Sequence, residues 1–160
     1  MNQLSQAFGK KFDQEAVRTK SFEYGGHTFK VKVPLTSEYE ALFEAVKIVD
    51  DAKVKQYYDE LTKQFIENKD KLDPELGVVF KDNDVEIQGR SMMDTAKNKA
   101  ITENRIVAMV RLLVPEEKDF DMSTITYDMV EELFPFSVQL ELIESIGEVI
   151  SPSYKDTKGK

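Results

Sequence analysis

From Ser21 to Val33, apolar and polar residues alternate on both sides of the Gly25-Gly26 pair. Two adjacent glycines accept the positive φ angles of a two-residue primed turn, so this stretch predicts a β-hairpin. Its register sets Phe22 opposite Phe29 and Tyr24 opposite His27. Phe22, Tyr24, His27, Phe29, Val31 and Val33 then share the buried face, and Glu23, Thr28, Lys30 and Lys32 face away. Because side chains alternate with a period of two, the two strands agree in this register on which face is inside, and a slip of one residue would break that agreement. Pro34 lacks an amide donor and ends the strand.

Helical spacing takes over afterwards. Ser37 and Glu40 read as a capping box in front of Tyr39, Leu42, Phe43, Val46 and Val49. A break at Asp50-Asp51 precedes a second stripe, Val54, Tyr57, Tyr58, Leu61 and Phe65, and the pattern fits either two helices or one rod. Asn68 to Pro74 is a polar stop. Val78-Val79-Phe80 and Val85-Glu86-Ile87 then flank Asp82-Asn83-Asp84, predicting a second short hairpin turned at Asn83-Asp84 with Phe80 opposite Ile87. Ser91, with Asp94 three residues on, opens a long helix through Met93, Ala96, Ala100, Val107, Val110 and Val114 that ends at Pro115. Thr126 caps a short helix carrying Tyr127, Val130, Leu133 and Phe134. Pro135 punctuates, and a last amphipathic helix runs to Ser151-Pro152.

These elements predict an α+β protein: an N-terminal hairpin, a second short hairpin and a predominantly helical body. Residues 1–19 carry Leu4, Phe8 and Phe12 on a narrow stripe interrupted by Gly9, which predicts a flexible arm that orders on contact. Residues 20–152 are read as a single domain and 153–160 as a disordered basic tail.

Composition narrows the function classes. A hydrophobic content of 41% with ten Phe and six Tyr supports a core without Trp. The absence of Cys removes disulfides, thiolate metal sites and cysteine nucleophiles, and fits a reducing cytoplasm. The start has no signal-peptide core, and no apolar run is long enough for a membrane span. A net charge of −8 repels a phosphate backbone. The basic cluster Lys10, Lys11, Arg18, Lys20, Lys30 and Lys32 lacks base-stacking aromatics on its own face, so it reads as a solvated face or a dock for another subunit's acidic end, not a nucleic-acid site.

No catalytic or cofactor centre emerges. His27 is the only histidine and sits beside a hairpin turn with no nucleophile motif nearby. Asp82-Asn-Asp84-Val-Glu86 resembles the start of a calcium loop, but the sixth and twelfth positions hold Ile87 and Met93 where Gly and a bidentate Glu are needed. Glu116, Glu117, Asp119 and Asp121 read as a solvated connector, with a hard-cation site as the alternative. No glycine-rich phosphate cradle is present.

The C-terminal part combines acid with grease. Glu116, Glu117, Asp119, Asp121, Asp128, Glu131, Glu132, Glu141, Glu144 and Glu148 surround an apolar series, with Lys118 the only base before Ile150. That suits a protein-binding surface, and the partner-binding candidates are Phe134, Phe136, Leu140, Leu142, Ile143, Ile146 and Ile150. The rings of Phe134-Pro135-Phe136 serve either to pin a helix corner or to anchor a partner helix. Met92, Met93, Met109, Met122 and Met129 fit an adaptable surface or a scattered core equally well.

On these residues, from the Ser21–Val33 hairpin through Ala100–Ile106 to Tyr127–Phe136 and the last helix, the chain resembles the tail assembly chaperones of long-tailed bacteriophages. The resemblance implies a non-enzymatic escort that solubilises the tape measure protein, recruits tail tube subunits and associates with itself, without cofactor or metal. It implies action in the cytoplasm of an infected bacterium and absence from the mature virion. It also implies a longer form made by ribosomal frameshifting, this chain being the unshifted product. The alternatives are a structural tail component, such as a completion or connector protein, and more remotely a small acid-dependent hydrolase or metal enzyme.

Overall fold

The first hairpin pairs β1 (Thr19–Tyr24) with β2 (His27–Lys32) in the expected register, Phe22 opposite Phe29 and Tyr24 opposite His27. Both turn glycines have positive φ, 59° and 80°. In the computed structural model, which describes residues 3–151, the fold is α+β, with this two-stranded sheet, a three-stranded sheet and seven α-helices among the described residues. The tail at 153–160 lies outside the described residues. No helix among those described is long and apolar enough to cross a membrane.

The chain divides into two compact units, one comprising residues up to Leu42 together with those from Ile106 onward, the other Phe43–Arg105. In the first unit, two short helices, α1 (Gln3–Ala7) and α2 (Gln14–Arg18), precede β1. Gly9, at φ 92°, separates them, as its interruption of the stripe predicts. Val31 is fully buried in the hairpin, while Phe22 and Phe29 stack with ring centroids 5.4 Å apart. His27 lies on the expected face at the turn end of the hairpin, where its side chain is 53% exposed. Its ring meets Phe29 edge-on.

Helix α3 (Thr36–Val46) starts one residue before the predicted box. The Leu35 carbonyl accepts the first helical bond, and the Glu38 carboxylate, not that of Glu40, accepts from the Leu35 amide at 2.8 Å. Glu38 also accepts from the Arg18 guanidinium at 2.6 Å, which draws it to this position and away from the Ser37 frame. The Leu35 amide, and then the Arg18 charge, outweigh burial and hold its carboxyl below the usual range.

In the second unit, Asp50 caps α4 (Asp51–Glu67) by accepting from the Ala52 amide, so α3 and α4 are two helices and not one rod. Val54 and Tyr57 of α4 pack with Ala96 and Ala100 of α5 (Met92–Val110), joined by Val49, Tyr58, Leu61 and Met93. Tyr57 donates to the buried Glu103, and Lys99 sits 4.1 Å from the tyrosine ring centroid. The polar stop holds two short 3-10 turns, Lys69–Lys71 and Pro74–Leu76.

The second sheet runs β3 (Val78–Lys81), β4 (Asp84–Ile87), β5 (Arg90–Ser91), all antiparallel. Its first hairpin turns at Asp82-Asn83 and pairs Val78 with Ile87 and Phe80 with Val85, two residues off the predicted register. A shift of two keeps every side chain on its expected face, so the apolar pattern alone does not distinguish the two pairings. Asp84 decides between them. Its carboxylate accepts from the Val85 amide at 2.8 Å, the Met93 amide at 3.0 Å and the Ser91 hydroxyl, which commits it to the sheet–helix corner and not to the turn. Ser91 in turn accepts from the Asp94 amide, as its capping role predicts.

Burial pushes the Asp84 carboxyl up, but the bonds from Ser91, Met93 and Val85, with Lys81 nearby, more than offset this and hold it below the ordinary aspartate range. A carboxylate with a depressed folded pKa stabilises the fold fully above its unfolded value and loses that contribution as pH falls through the folded value. Asp84→Ala is therefore expected to cost about 1–2 kcal/mol at pH 7, as for other capping acids. The gap from wild type should close as pH drops below about 4. Urea titrations of both proteins between pH 3 and 7 measure it.

The long helix α5 ends at Val110, before Pro115. The chain beyond it pairs with β2 instead: Lys32 donates to the Leu112 carbonyl, Val114 donates to the Lys30 carbonyl, and Val31 bridges Leu113. Arg111 binds the Ile125 carbonyl through two nitrogens, at 3.2 and 2.7 Å, and so ties down the acidic connector.

Candidate functional site

Thr126 accepts from the Met129 amide and caps α6 (Tyr127–Leu133), and α7 (Phe136–Ile150) follows after Pro135. Proline at this junction starts the new helix without losing a bond, since the first helical amides have no partner within the helix. Val130 packs with Ile106 and Val110 of α5, and Leu113, Met122, Ile125, Tyr127, Phe134 and Ile143 surround that cluster. Helix α7 also packs against β1 and β2.

The corner is locked by Gln139, a residue that apolar pattern reading passes over. It is 2% exposed; its amide nitrogen donates to the Phe134 carbonyl at 2.8 Å and its oxygen accepts from the Tyr127 hydroxyl at 3.0 Å. A buried amide with both ends satisfied fixes one geometry between α6 and α7. Along the same helix, Gly147 leaves room for Met109, whose terminal methyl would lie 3.8 Å from an added Cβ. Tyr24 donates to Glu141 and fastens the hairpin to α7, and this bond raises the tyrosine pKa.

This packing divides the candidate residues into three sets. Leu142 and Ile146 are 1% and 0% exposed, so both are core residues and not accessible anchors. Phe134, Ile143 and Ile150 are half-buried, with Phe134 and Ile143 packed on the Val130 cluster. Phe136 and Leu140 remain on the surface. Leu133 was expected on the buried stripe of α6, but it is 71% exposed, because Tyr127, Val130 and Phe134 already fill the inward face of so short a helix. Met129 is exposed one turn before it.

Four large apolar side chains are thus left exposed, Met129 and Leu133 on α6 and Phe136 and Leu140 on α7. Asp128, Glu131, Glu132, Glu141 and Glu144, all exposed, lie on the same two helices. The signal for Leu133 was present, since it lies four residues after Met129, one of the methionines that fit an adaptable surface, and the two thus share a helix face. Met92, Met93 and Met122 are core or core-packed, so the methionines do not gather on one face.

The other candidates stay apart from this surface. In the connector, Asp121 caps the 3-10 turn Met122–Thr124, and Ser123, through its hydroxyl and then its amide, lowers the carboxyl's pKa. Glu116 is exposed, with His27 3.8 Å away. Among the described residues, no group of three His, Asp or Glu side chains is placed to hold a metal ion. Comparisons with protein-family models, curated proteins and solved structures find no match.

Proposed function

We propose that this protein is a non-enzymatic assembly chaperone of a long-tailed bacteriophage, which covers apolar stripes of the helical tape measure protein and recruits tail tube subunits to it in the host cytoplasm. The observation that carries the reading is the acid-fringed apolar surface of Met129, Leu133, Phe136 and Leu140. It supports the reading because a long helix awaiting assembly exposes apolar residues at i, i+3 and i+4 that aggregate unless an apolar face covers them. The carboxylates around the contact keep the complex soluble. Several copies along one client turn weak single contacts into firm retention. The resemblance set out from the hairpin and the helices supplies the identity of the client.

The test compares infected cells with purified virions. The expected result is that the chain co-purifies with the tape measure protein from lysate before tail completion and is missing from mature particles. Stoichiometric retention in virions would instead make it a structural tail component.

A further inference from the structure

The segment before β1 and the α6–α7 surface are complementary to each other. Leu4 and Phe8 are 64% and 60% exposed, and the Phe8 and Phe12 rings lie 5.0 Å apart, forming an apolar ridge with little of the chain over it. Lys10 and Lys11 flank that ridge, both exposed, while Arg18 is already committed to Glu38. On the opposite side of the pairing, the stretch from Asp119 to Ile150 has no Lys or Arg, and the exposed Asp128, Glu132 and Glu144 lie on the same two helices as the exposed Leu133, Phe136 and Leu140.

We infer that Leu4–Phe12 of one copy docks on the α6–α7 surface of a second copy, with Leu4, Phe8 and Phe12 against Leu133, Phe136 and Leu140, and Lys10 and Lys11 against Glu132 and Glu144. The inference does not depend on the identity of the client proposed above, but it uses the same side chains, so a docked copy and the client compete for them. A second copy is the occupant because both halves of the contact are on this chain, and in the single chain both stay exposed. Contact between two different patches is heterologous, so it leaves one free ridge and one free surface at the ends and adds copies until a ring closes. Such a contact is steered by exposed charge, and exposed charge is screened within about 8 Å at physiological salt.

Sedimentation velocity of the full chain across a hundredfold concentration range tests it. Wild type is expected to form species of two or more copies in low salt that fall at least tenfold in population in 0.5 M NaCl. Lys10→Glu with Lys11→Glu in one variant, and Glu132→Lys with Glu144→Lys in another, should each be monomeric with an unchanged circular dichroism spectrum. Mixing the two variants should restore association, since each then supplies the complement of the other. A monomer at every concentration overturns the inference. So does association that the reversals leave intact, or a mixture that stays monomeric.

Discussion

Leu142→Asp is expected to produce a chain without native tertiary structure, seen as loss of the near-ultraviolet circular dichroism signal and of a cooperative thermal transition. Leu142 is 1% exposed in the helix that packs on β1 and β2. A carboxylate at that position gives up its hydration in a packed apolar site, which costs more than about 4 kcal/mol, a large share of the stability of a small domain. Ile146→Asp, at a fully buried position one turn on, should do the same. The milder Leu142→Ala removes packing without burying charge and is expected to cost about 2–5 kcal/mol, which denaturant titration reads directly.

The opposite outcome is expected for the combined variant Leu133→Asp/Phe136→Asp. Both side chains are more than half exposed, so the fold should survive with stability within about 0.5 kcal/mol per site. Binding should not survive. Aromatic and large apolar anchors at the centre of a contact commonly cost 2 kcal/mol or more when removed, which is about a thirtyfold loss of affinity for each. The two variants therefore separate core from interface along one stretch of chain, with a difference far larger than measurement error.

That separation was only half legible in the sequence. Helix α7 carries apolar residues on more than one face, and a period of 3.6 places Gln139, Leu142 and Ile146 on one side and Phe136 and Leu140 on another without saying which is inside. The hydrogen bonds of Gln139 to Phe134 and Tyr127 settle the matter, and they depend on a helix pair meeting at Pro135. Pattern reading scores a glutamine as polar and assigns it to solvent, so the wrong stripe looked available.

The first hairpin was fully legible because its information is local: two glycines fix the turn and alternation fixes the face. The second was legible in kind but not in register, because Asp82, Asn83 and Asp84 all suit a turn and only the distant Ser91 and Met93 claim the last of them. The early end of α5 follows the same rule. Nothing between Val110 and Pro115 breaks a helix, but strand β2 offers Lys30 and Lys32 as partners to Val114 and Leu112, and the chain leaves the helix to meet them. Where a choice rested on neighbours in sequence, it could be read. Where it rested on side chains or strands beyond the adjoining residues, from five positions away to most of the chain, it could not.

The central claim is that the Met129–Leu140 surface holds a long helical client in solution. The most direct measurement is co-expression of this chain with the tape measure protein, followed by quantifying the client in the soluble fraction for wild type and for Leu133→Asp/Phe136→Asp. A client that is soluble and bound to wild type, and insoluble beside a folded double variant, is the predicted result. A client equally soluble with both chains, or insoluble with both, would contradict the account.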